Sequence, residues 1–325
     1  MNRDIFIDKY EGLNISKDEM EQAIQSIINF EKFIINDIEK ATINDIERYM
    51  KHLIESGNNK YSEVIHFARY FCYVNMQDNY LHMTKYFNSL GVLENIVERI
   101  GVYESEDIKE IFLGDLELPP FGTSPKEMPR YTNQFIKRLL SQIEIEKCRH
   151  ILAGNNHQIP DKKFSIEKAY YDNSISLKDY LKERHQRKVK ELINFYENNR
   201  IWFEQIITPD VISFVKNNQE ILSGVLKDNK LYITKIPYDI NNYLKAKDAI
   251  SKSYYACHCS FVRENILSNK EDIPKTWCYC SGGFAKRPFE VILGKSLNVK
   301  LLESAIDGDD FCRFEIDLTN IDYKK

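Results

Sequence analysis

The sequence predicts an α+β protein, with a mostly α-helical N-terminal region followed by a C-terminal α/β domain that contains antiparallel strands. The first observation is periodicity, because apolar residues recur at helical intervals through roughly the first two hundred residues. The second is a change of period after Gly224, where apolar and polar residues begin to alternate as they do in strands. The third is a cluster of prolines between Pro119 and Pro129, which interrupts the helical pattern.

The helical region carries start and stop signals in its first sixty or so residues. Ser16-Lys17-Asp18-Glu19 has the spacing of a capping box, so a helix is expected to begin there. Asn44-Asp45-Ile46-Glu47 opens a second helix, and Gly57 ends it. Cys72 lies in a further helix that is apolar on most sides, so we expect its thiol in the core.

The proline cluster also predicts the domain organisation. A chain of 325 residues exceeds the usual size of one domain, so two domains are expected. We place an α-helical domain at residues 1–124, and a helical connector with a cysteine-rich α+β domain at residues 125–325. The strands of the second domain are expected within residues 219–325.

Three strand signals lie in that last part. Residues 225–234 predict a hairpin with Asp228-Asn229 in its turn. Residues 298–306 and 311–318 predict two further strands, joined at Asp307-Gly308-Asp309. Ahead of them we expect a short helix that starts near Pro288, a residue suited to a first helical turn, and ends by Gly294.

Composition and charge exclude several classes of protein. The net charge is −4 and the isoelectric point is about 6.1, which gives no general attraction to nucleic acid or to anionic membranes. The N-terminus lacks the apolar stretch of a signal peptide, and no apolar run approaches a membrane span, so a cytoplasmic location is expected. The chain has no GxGxxG, Walker, HExxH or GxSxG motif, which disfavours nucleotide cofactors and serine hydrolase chemistry.

Five of the seven cysteines fall in the last seventy or so residues, as two Cys-x-Cys pairs and a later single cysteine. They are Cys257, Cys259, Cys278, Cys280 and Cys312. Reduced thiols in a cytoplasmic chain favour metal binding, with zinc as the expected ion and an iron–sulfur cluster as the alternative. In an extended segment residues i and i+2 face the same side, so each pair is expected to point its two sulfurs together.

The cysteines are also compatible with a reactive or redox thiol, and with the ordinary packing of small core residues. If the metal site holds four thiolates, its charge of about −2 needs nearby cations, and Lys286, Arg287 or Arg263 could supply them. His258 lies between two cysteines and is the candidate general base if a Cys–His pair performs nucleophilic chemistry.

Aromatic residues surround the cysteines in sequence. We expect a small-molecule pocket lined by four of them, Trp277, Tyr279, Phe284 and Tyr255. The alternative is that these rings cover a core that the metal holds together. The polar loop at Asn155-Asn156-His157 predicts an exposed turn, because Asn tolerates left-handed backbone geometry. The alternative is that these Asn and His side chains polarise a substrate carbonyl or orient a base.

The C-terminal blocks resemble a known domain. Cys280-Ser281-Gly282-Gly283-Phe284, residues 298–304 and residues 308–316 look like the end of the 4-vinyl reductase domain, and also like that of the 2-amino-thiazoline-4-carboxylate hydrolase family. The first resemblance implies an α/β fold, a small-molecule sensor role and a zinc-binding lobe. As a whole the chain resembles an uncharacterised family of bacterial proteins with CHC…CYCSxGF…GDxxCRF blocks.

The resemblance to the 4-vinyl reductase domain also implies a ligand set. Cys278 or Cys280 would take the first place and Cys312 the last, with Glu303 near the place of a glutamate ligand. Ser304 stands where the family has a further cysteine, which Cys257 or Cys259 would replace.

These observations lead to one functional hypothesis and two alternatives. The first is a cytoplasmic, sensor-like protein that binds a small molecule and carries a cysteine-rich zinc site, without nucleic acid or membrane partners. The second is a hydrolase that uses zinc-bound water or a cysteine thiolate on a C–N or C–S bond of a small substrate. The third is an interaction protein in which the metal is purely structural.

Overall fold

A computed structural model describes residues 3–12 and 15–325 of the chain, which divide into two compact units. Unit 1 comprises residues up to Leu90 together with Leu118–Tyr131, and unit 2 comprises Gly91–Glu117 and Thr132–Lys325. The division places residues 91–117 with the C-terminal part of the chain, whereas the sequence predicted a single boundary at residue 124.

The regular secondary structure of unit 1 is entirely helical among its described residues. Its helices are α1 (Arg3–Glu11), α2 (Lys17–Ile34), α3 (Ile43–Glu55), α4 (Tyr61–Tyr73) and α5 (Gln77–Phe87). The predicted start of α2 is confirmed, because the Ser16 side chain accepts a hydrogen bond from the Glu19 N–H at 3.1 Å. The start of α3 is a full capping box formed by Thr42 and Asp45.

An aromatic core holds unit 1 together. Phe30, on α2, stacks on Phe67 of α4 with ring centroids 5.6 Å apart, and meets Tyr49 of α3 edge-on at 5.0 Å. The three rings are almost completely buried. Cys72 was expected in this core, but the prediction is wrong: its side chain is exposed, since α4 turns it away from the packed face.

Unit 2 contains eleven helices wholly or partly and six strands among its described residues. The helices are α6 (Val92–Tyr103), α7 (Glu106–Leu113), α8 (Met128–Gln142), α9 (Ile145–Leu152), α10 (Ser165–Asn173), α11 (Leu177–Glu197), α12 (Pro209–Lys216), α13 (Ile240–Lys245), α14 (Ala249–Ala256), α15 (Arg263–Ser268) and α16 (Tyr279–Leu293). The strands are β1 (Ile201–Trp202), β2 (Gln205–Ile206), β3 (Val225–Lys227), β4 (Lys230–Thr234), β5 (Asn298–Glu303) and β6 (Arg313–Asp317).

The larger sheet has the strand order β3-β4-β6-β5 and is antiparallel throughout. The predicted hairpin is confirmed, with Val225 opposite Tyr232 and Lys227 opposite Lys230. Asp228 and Asn229 form its turn with φ of 50° and 58°, the left-handed geometry that Asp and Asn tolerate best after glycine. The two later predicted strands are β5 and β6, so the α+β fold class is confirmed.

Helix α16 differs from its prediction. It begins at Tyr279, well before Pro288, which lies inside the helix rather than at its start. Cys278 adopts helical angles as its N-cap residue, and Cys280 is its second residue. The expectation that Cys278 and Cys280 lie in an extended segment is therefore wrong. Successive residues of an α-helix are turned by about 100°, so these two side chains leave the helix in nearly opposite directions.

No helix in the described part of the chain combines the length and the apolar character needed to cross a bilayer.

Candidate functional site

Four segments of unit 2 bring the five C-terminal cysteines to one place. Cys257 caps the end of α14, and Cys259 follows it in non-helical chain. Cys278 ends a 3₁₀ turn and Cys280 lies in the first turn of α16, while Cys312 directly precedes β6. All five are free thiols, four of them buried and Cys259 half-buried. The cysteines predicted from sequence thus share one region of the fold.

Burial raises the pKa of every one of these thiols. For Cys257 the next contribution comes from Cys312 and Cys259, and for Cys278 from Cys312 and Cys257, each raising the pKa further. Burial, then the neighbouring Cys259, raises the pKa of Cys280 to about 12. Without a metal the five groups are therefore protonated at neutral pH, and none has the depressed pKa of a reactive thiolate.

Three side chains donate hydrogen bonds to sulfur. The Trp277 indole N–H donates to Cys259 Sγ at 3.3 Å, and the Ser304 hydroxyl donates to Cys278 Sγ at 3.1 Å. The Asn156 amide N–H donates to Cys280 Sγ, more weakly, at 3.9 Å. Trp277 and Ser304 are completely buried, so each commits its polar atom to a sulfur rather than to water.

Backbone N–H groups serve the remaining sulfurs. Against the larger effect of burial, the backbone N–H of Cys259 lowers the pKa of Cys257, and the backbone N–H of Ala305 lowers the pKa of Cys312. The N–H groups of Phe261 and Val262 also lower the pKa of Cys259 against the larger effect of burial, and the Val262 N–H donates its hydrogen bond to the Cys259 carbonyl oxygen at 3.2 Å. Three of the five sulfurs therefore accept a side-chain hydrogen bond, and backbone N–H groups favour the thiolate form of the other two, an arrangement that supports ligating thiolates.

Cys148 shows what an ordinary buried thiol of this unit does. Its sulfur donates to the carbonyl oxygen of Ile143 at 3.2 Å, and a second carbonyl, that of Leu139, lies at 3.5 Å. Burial raises its pKa to about 11, so it is a neutral S–H group. Cys259, Cys278 and Cys280 accept side-chain hydrogen bonds, whereas Cys148 acts as a donor.

Two cations lie beside the cluster. Lys235 follows β4, and its backbone N–H donates to the carbonyl of Cys312 at 3.0 Å; against the larger effect of burial, its charge lowers the pKa of Cys259, Cys280 and Cys312. Arg263 is 3% exposed and, again against burial, lowers the pKa of Cys257. Of the three cations that the sequence suggested could offset the thiolate charge, Arg263 is therefore the one that lies beside the cysteines.

The other two cations named from sequence are engaged elsewhere. Lys286 pairs with Glu290 at 2.6 Å and donates to the Leu297 carbonyl at 2.7 Å. Arg287 pairs with Asp161 and with Glu290. Both side chains fix α16 to neighbouring segments.

His258 is turned toward the backbone of residue 236. Its Nε2 lies 2.5 Å from the Ile236 carbonyl oxygen, which can only accept, so Nε2 carries the proton. Burial, then the charge of Lys235, lowers the pKa of His258 well below its usual value. Its ring also meets Tyr238 edge-on at 5.5 Å, and in the described structure no sulfur is hydrogen bonded to it.

The four aromatic residues predicted to line a pocket lie in different surroundings. Trp277 packs against Phe261 at 5.3 Å and is fully buried. Phe284 is 44% exposed, with Lys235 Nζ 5.1 Å from its ring centre. Tyr279 stacks under Arg149, Tyr255 contacts Tyr254, and within the described residues no ring contact joins any two of the four.

A cavity of about 350 Å³ lies elsewhere in unit 2, between α12 and α13. Its lining residues are Asp210, Ser213, Phe214, Asn241, Leu244 and Lys245, none of which was predicted as a site residue.

The cysteine sulfurs lie in one region but are not arranged as the coordination sphere of a metal ion. Among residues 3–12 and 15–325, no three His, Cys, Asp or Glu side chains are placed so that they could hold a metal ion. Glu303, suggested as a ligand by resemblance, instead receives Arg313 Nη1 at 3.4 Å. Binding of an ion therefore requires the cysteine side chains to turn toward a common point.

Sequence reasoning missed three parts of this site: the role of Lys235, the role of Ser304 as a donor and the burial of Asn156. Asn156 is 1% exposed, so the prediction that it lies in an exposed turn is wrong. One signal was present in the glycines of α16, because a Cβ on Gly283 would lie 2.3 Å from the Gly154 carbonyl oxygen. That close approach brings the loop after α9 against the start of α16, where Cys280 lies.

Comparison with protein families gives one match, to a family of unknown function (DUF6144), over residues 240–322. The matched segment begins with α13 and ends after β6, and it contains all five clustered cysteines. Neither the curated proteins nor the solved structures contained a match to the chain.

Proposed function

We propose that residues 240–322 form a thiolate site for a soft metal ion, zinc, with ligands drawn from the five clustered cysteines. The observation that carries the proposal is the set of N–H and O–H donors that point at these sulfurs. A neutral thiol is a weak acceptor, so buried donors such as those of Trp277 and Ser304 gain little from it. A metal-bound thiolate is a strong acceptor, and such donors hold its orientation.

Zinc binding is energetically feasible even though the cysteine side chains must first turn toward a common point. Holding a side-chain torsion about 30° away from its preferred rotamer costs about 0.5–1.5 kcal/mol. A structural zinc ion in small zinc-finger peptides contributes about 10–16 kcal/mol at neutral pH. Zinc also displaces the thiol protons, so the raised pKa values of the free thiols do not prevent ligation.

The resemblance to the 4-vinyl reductase domain supports the same proposal, since that family implies a zinc-binding lobe. The small-molecule role that it also implies stays a prediction. Of the four aromatic residues named for it, Phe284 is exposed, while Trp277 would have to leave the core to meet a ligand.

The alternative of a Cys–His nucleophile has little in its favour. The thiols have raised pKa values because they are buried, and His258 directs its Nε2–H to the Ile236 carbonyl. A hydrolase that uses zinc-bound water would need an open coordination position, so the number of protein ligands on the ion decides that alternative.

The test is metal analysis of the purified full chain, expressed with zinc and iron both available. We expect about one zinc ion per chain, retained through gel filtration. Cys72→Ser serves as a control, because Cys72 is an exposed thiol of unit 1 and its loss should leave the zinc content unchanged. If the purified chain instead contains iron and shows broad visible absorption, the bound group is an iron–sulfur cluster and not zinc. A metal-free chain that takes up no zinc on titration would refute the proposal.

A further inference from the structure

The cavity between α12 and α13 is built from one face of each helix. Each helix contributes three lining residues with the spacing i, i+3, i+4, which places their side chains on the same face. They are Asp210, Ser213 and Phe214 of α12 and Asn241, Leu244 and Lys245 of α13. The volume of about 350 Å³ is at the small end of the range for small-molecule sites. The cavity therefore has the size for a small ligand.

Two opposite charges on the cavity lining are unpaired. Asp210 lies in the first turn of α12, and Lys245 is the last residue of α13. Within the part of the chain that the structure describes, neither side chain forms an ion pair or a hydrogen bond, with the other or with any further group. Both side chains are exposed to solvent, so a ligand can reach them without a rearrangement of the fold. The lining thus offers one carboxylate and one ammonium group to a ligand.

Phe214 and Leu244 give the cavity its apolar surface. The ring centroid of Phe214 lies 6.1 Å from that of Tyr243 and 6.4 Å from that of Phe311, and these two rings hold it in place. Leu244 is 40% exposed. An apolar group of a ligand can therefore lie against a ring and an aliphatic side chain, between the two charges.

Asn241 fixes the two helices to each other. Its Oδ1 accepts a hydrogen bond from the Thr208 hydroxyl at 2.8 Å, and its Nδ2 donates to the Ile206 carbonyl at 2.7 Å. Thr208 is the N-cap residue of α12, so these bonds tie the start of α12 to α13. The cavity is therefore preformed, and a ligand does not lose binding free energy by drawing the helices together.

We propose that this cavity binds a small zwitterion, of the class of free amino acids with an apolar side chain. The ammonium group of the ligand pairs with Asp210, its carboxylate pairs with Lys245, and its apolar part lies against Phe214 and Leu244. Both ion pairs are exposed to solvent, so each contributes modestly and the dissociation constant is on the order of 1 mM. The inference is independent of the proposed metal site, because none of the clustered cysteines lines the cavity.

The first test varies the ligand. The full-length chain is titrated with L-phenylalanine and with L-leucine, and binding is followed by saturation-transfer NMR on the ligand. We expect saturable binding of at least one of them with a dissociation constant of about 1 mM or lower. The matching amines, 2-phenylethylamine and 3-methylbutylamine, lack the carboxylate, and the matching acids, 3-phenylpropanoate and 4-methylpentanoate, lack the ammonium group. Each analogue of an amino acid that binds should bind about threefold more weakly or worse.

Two results of this titration would overturn the proposal. One is the absence of binding for both amino acids up to about 10 mM. The other is an amine or an acid that binds as tightly as its parent amino acid, because the missing charge would then have no partner on the protein.

The second test varies the protein. Lys245→Gln and Asp210→Asn each remove one charge at nearly constant size, and each should weaken binding of the amino acid by about threefold or more. Lys245→Gln should leave the affinity for the amine unchanged, and Asp210→Asn should leave that for the acid unchanged. Lys216→Gln is the matched control, since Lys216 ends α12 outside the cavity lining and its loss should change no affinity. Wild-type affinity in both cavity variants would show that the amino acid binds elsewhere and would refute the site.

Discussion

The two units of this chain build their interiors in different ways. Unit 1 closes around aromatic rings such as Phe30, Tyr49 and Phe67, whose burial stabilises the fold without help from any ligand. Unit 2 places thiols, Ser304 and Arg263 together in the region around the start of α16. Polar groups of this kind cost free energy when they are buried, unless each finds a partner of matching charge. Under our proposal, a zinc ion supplies that partner in unit 2, whereas the aromatic interior of unit 1 requires none.

The largest expected effect is that of removing the metal. A strong chelator should destabilise unit 2 by several kcal/mol, since structural zinc sites contribute folding free energy directly. Amide hydrogen exchange followed by mass spectrometry should show faster exchange over residues 240–322 and unchanged exchange in α2, α3 and α4. Equal loss of protection in both units would contradict the claim that only unit 2 depends on zinc. Zinc release without any change in hydrogen exchange would contradict it as well.

The converse change tests unit 1. Phe67→Ala removes a fully buried ring that stacks on Phe30, so it should lower the free energy of unfolding of unit 1 by about 3–5 kcal/mol. Its zinc content should equal that of the wild type. Chemical denaturation followed by circular dichroism, together with metal analysis, checks both parts, and a Phe67→Ala protein that loses its zinc would show that the two interiors are not independent.

Acid provides a smaller and reversible test of unit 1. Burial, followed by the charges of Lys85 and Lys126, lowers the pKa of His82 to about 4, although Glu47 Oε1 lies 3.6 Å from its Nε2. The unfolded chain therefore binds more protons than the folded chain between about pH 6.5 and 4, and stability falls as the pH falls through that window. We expect a loss of roughly 2 kcal/mol between pH 7 and 5 from this residue. His82→Gln should flatten that part of the profile, and an unchanged profile would refute the assignment.

The two tryptophans of the chain offer a matched pair for the thiol site. Trp277→Phe removes the N–H donor to Cys259 and should weaken zinc binding by roughly tenfold, a typical effect of an outer-shell hydrogen bond. Trp202 donates its N–H to Glu191 at 2.7 Å in the same unit, away from the cysteines. Trp202→Phe should therefore lower stability but leave zinc affinity unchanged. Equal zinc affinities for the two variants, measured by competition with a chelating dye, would contradict a role for the indole.

The smallest effect is expected at two polar side chains. Ser304→Ala removes the hydroxyl that donates to Cys278 at 3.1 Å, and it should weaken zinc binding by a few-fold up to about tenfold. Asn156→Ala removes a weaker donor, 3.9 Å from the Cys280 sulfur, and should lower zinc affinity less than Ser304→Ala does. A larger loss of zinc affinity for Asn156→Ala than for Ser304→Ala would contradict this order of donor strength.

Sequence reasoning succeeded where the signal is local. The capping residue Ser16 and the turn residues Asp228 and Asn229 act through neighbours a few positions away, so their effect is readable from the chain. The prediction that the helix starts near Pro288 was wrong, because this proline, a residue type that favours a first helical turn, lies inside α16. The predicted side-chain directions of Cys278 and Cys280 were also wrong, because both residues have helical rather than extended backbone geometry.

The partners of the cysteines could not be predicted, because they are distant in sequence. Asn156 lies 124 positions before Cys280, and Ser304 lies 26 positions after Cys278. Only the packed fold places them against sulfur, through contacts such as that of Gly283 with the Gly154 carbonyl. The cysteines themselves could be named from spacing, while their donors and the cation Lys235 required the structure.

X-ray absorption spectroscopy at the zinc edge, on the wild-type chain purified with zinc, tests the central claim most directly. The account predicts a first shell of sulfur atoms alone, about four of them at roughly 2.3 Å. A shell of nitrogen and oxygen scatterers, or protein that holds no zinc to measure, would contradict it.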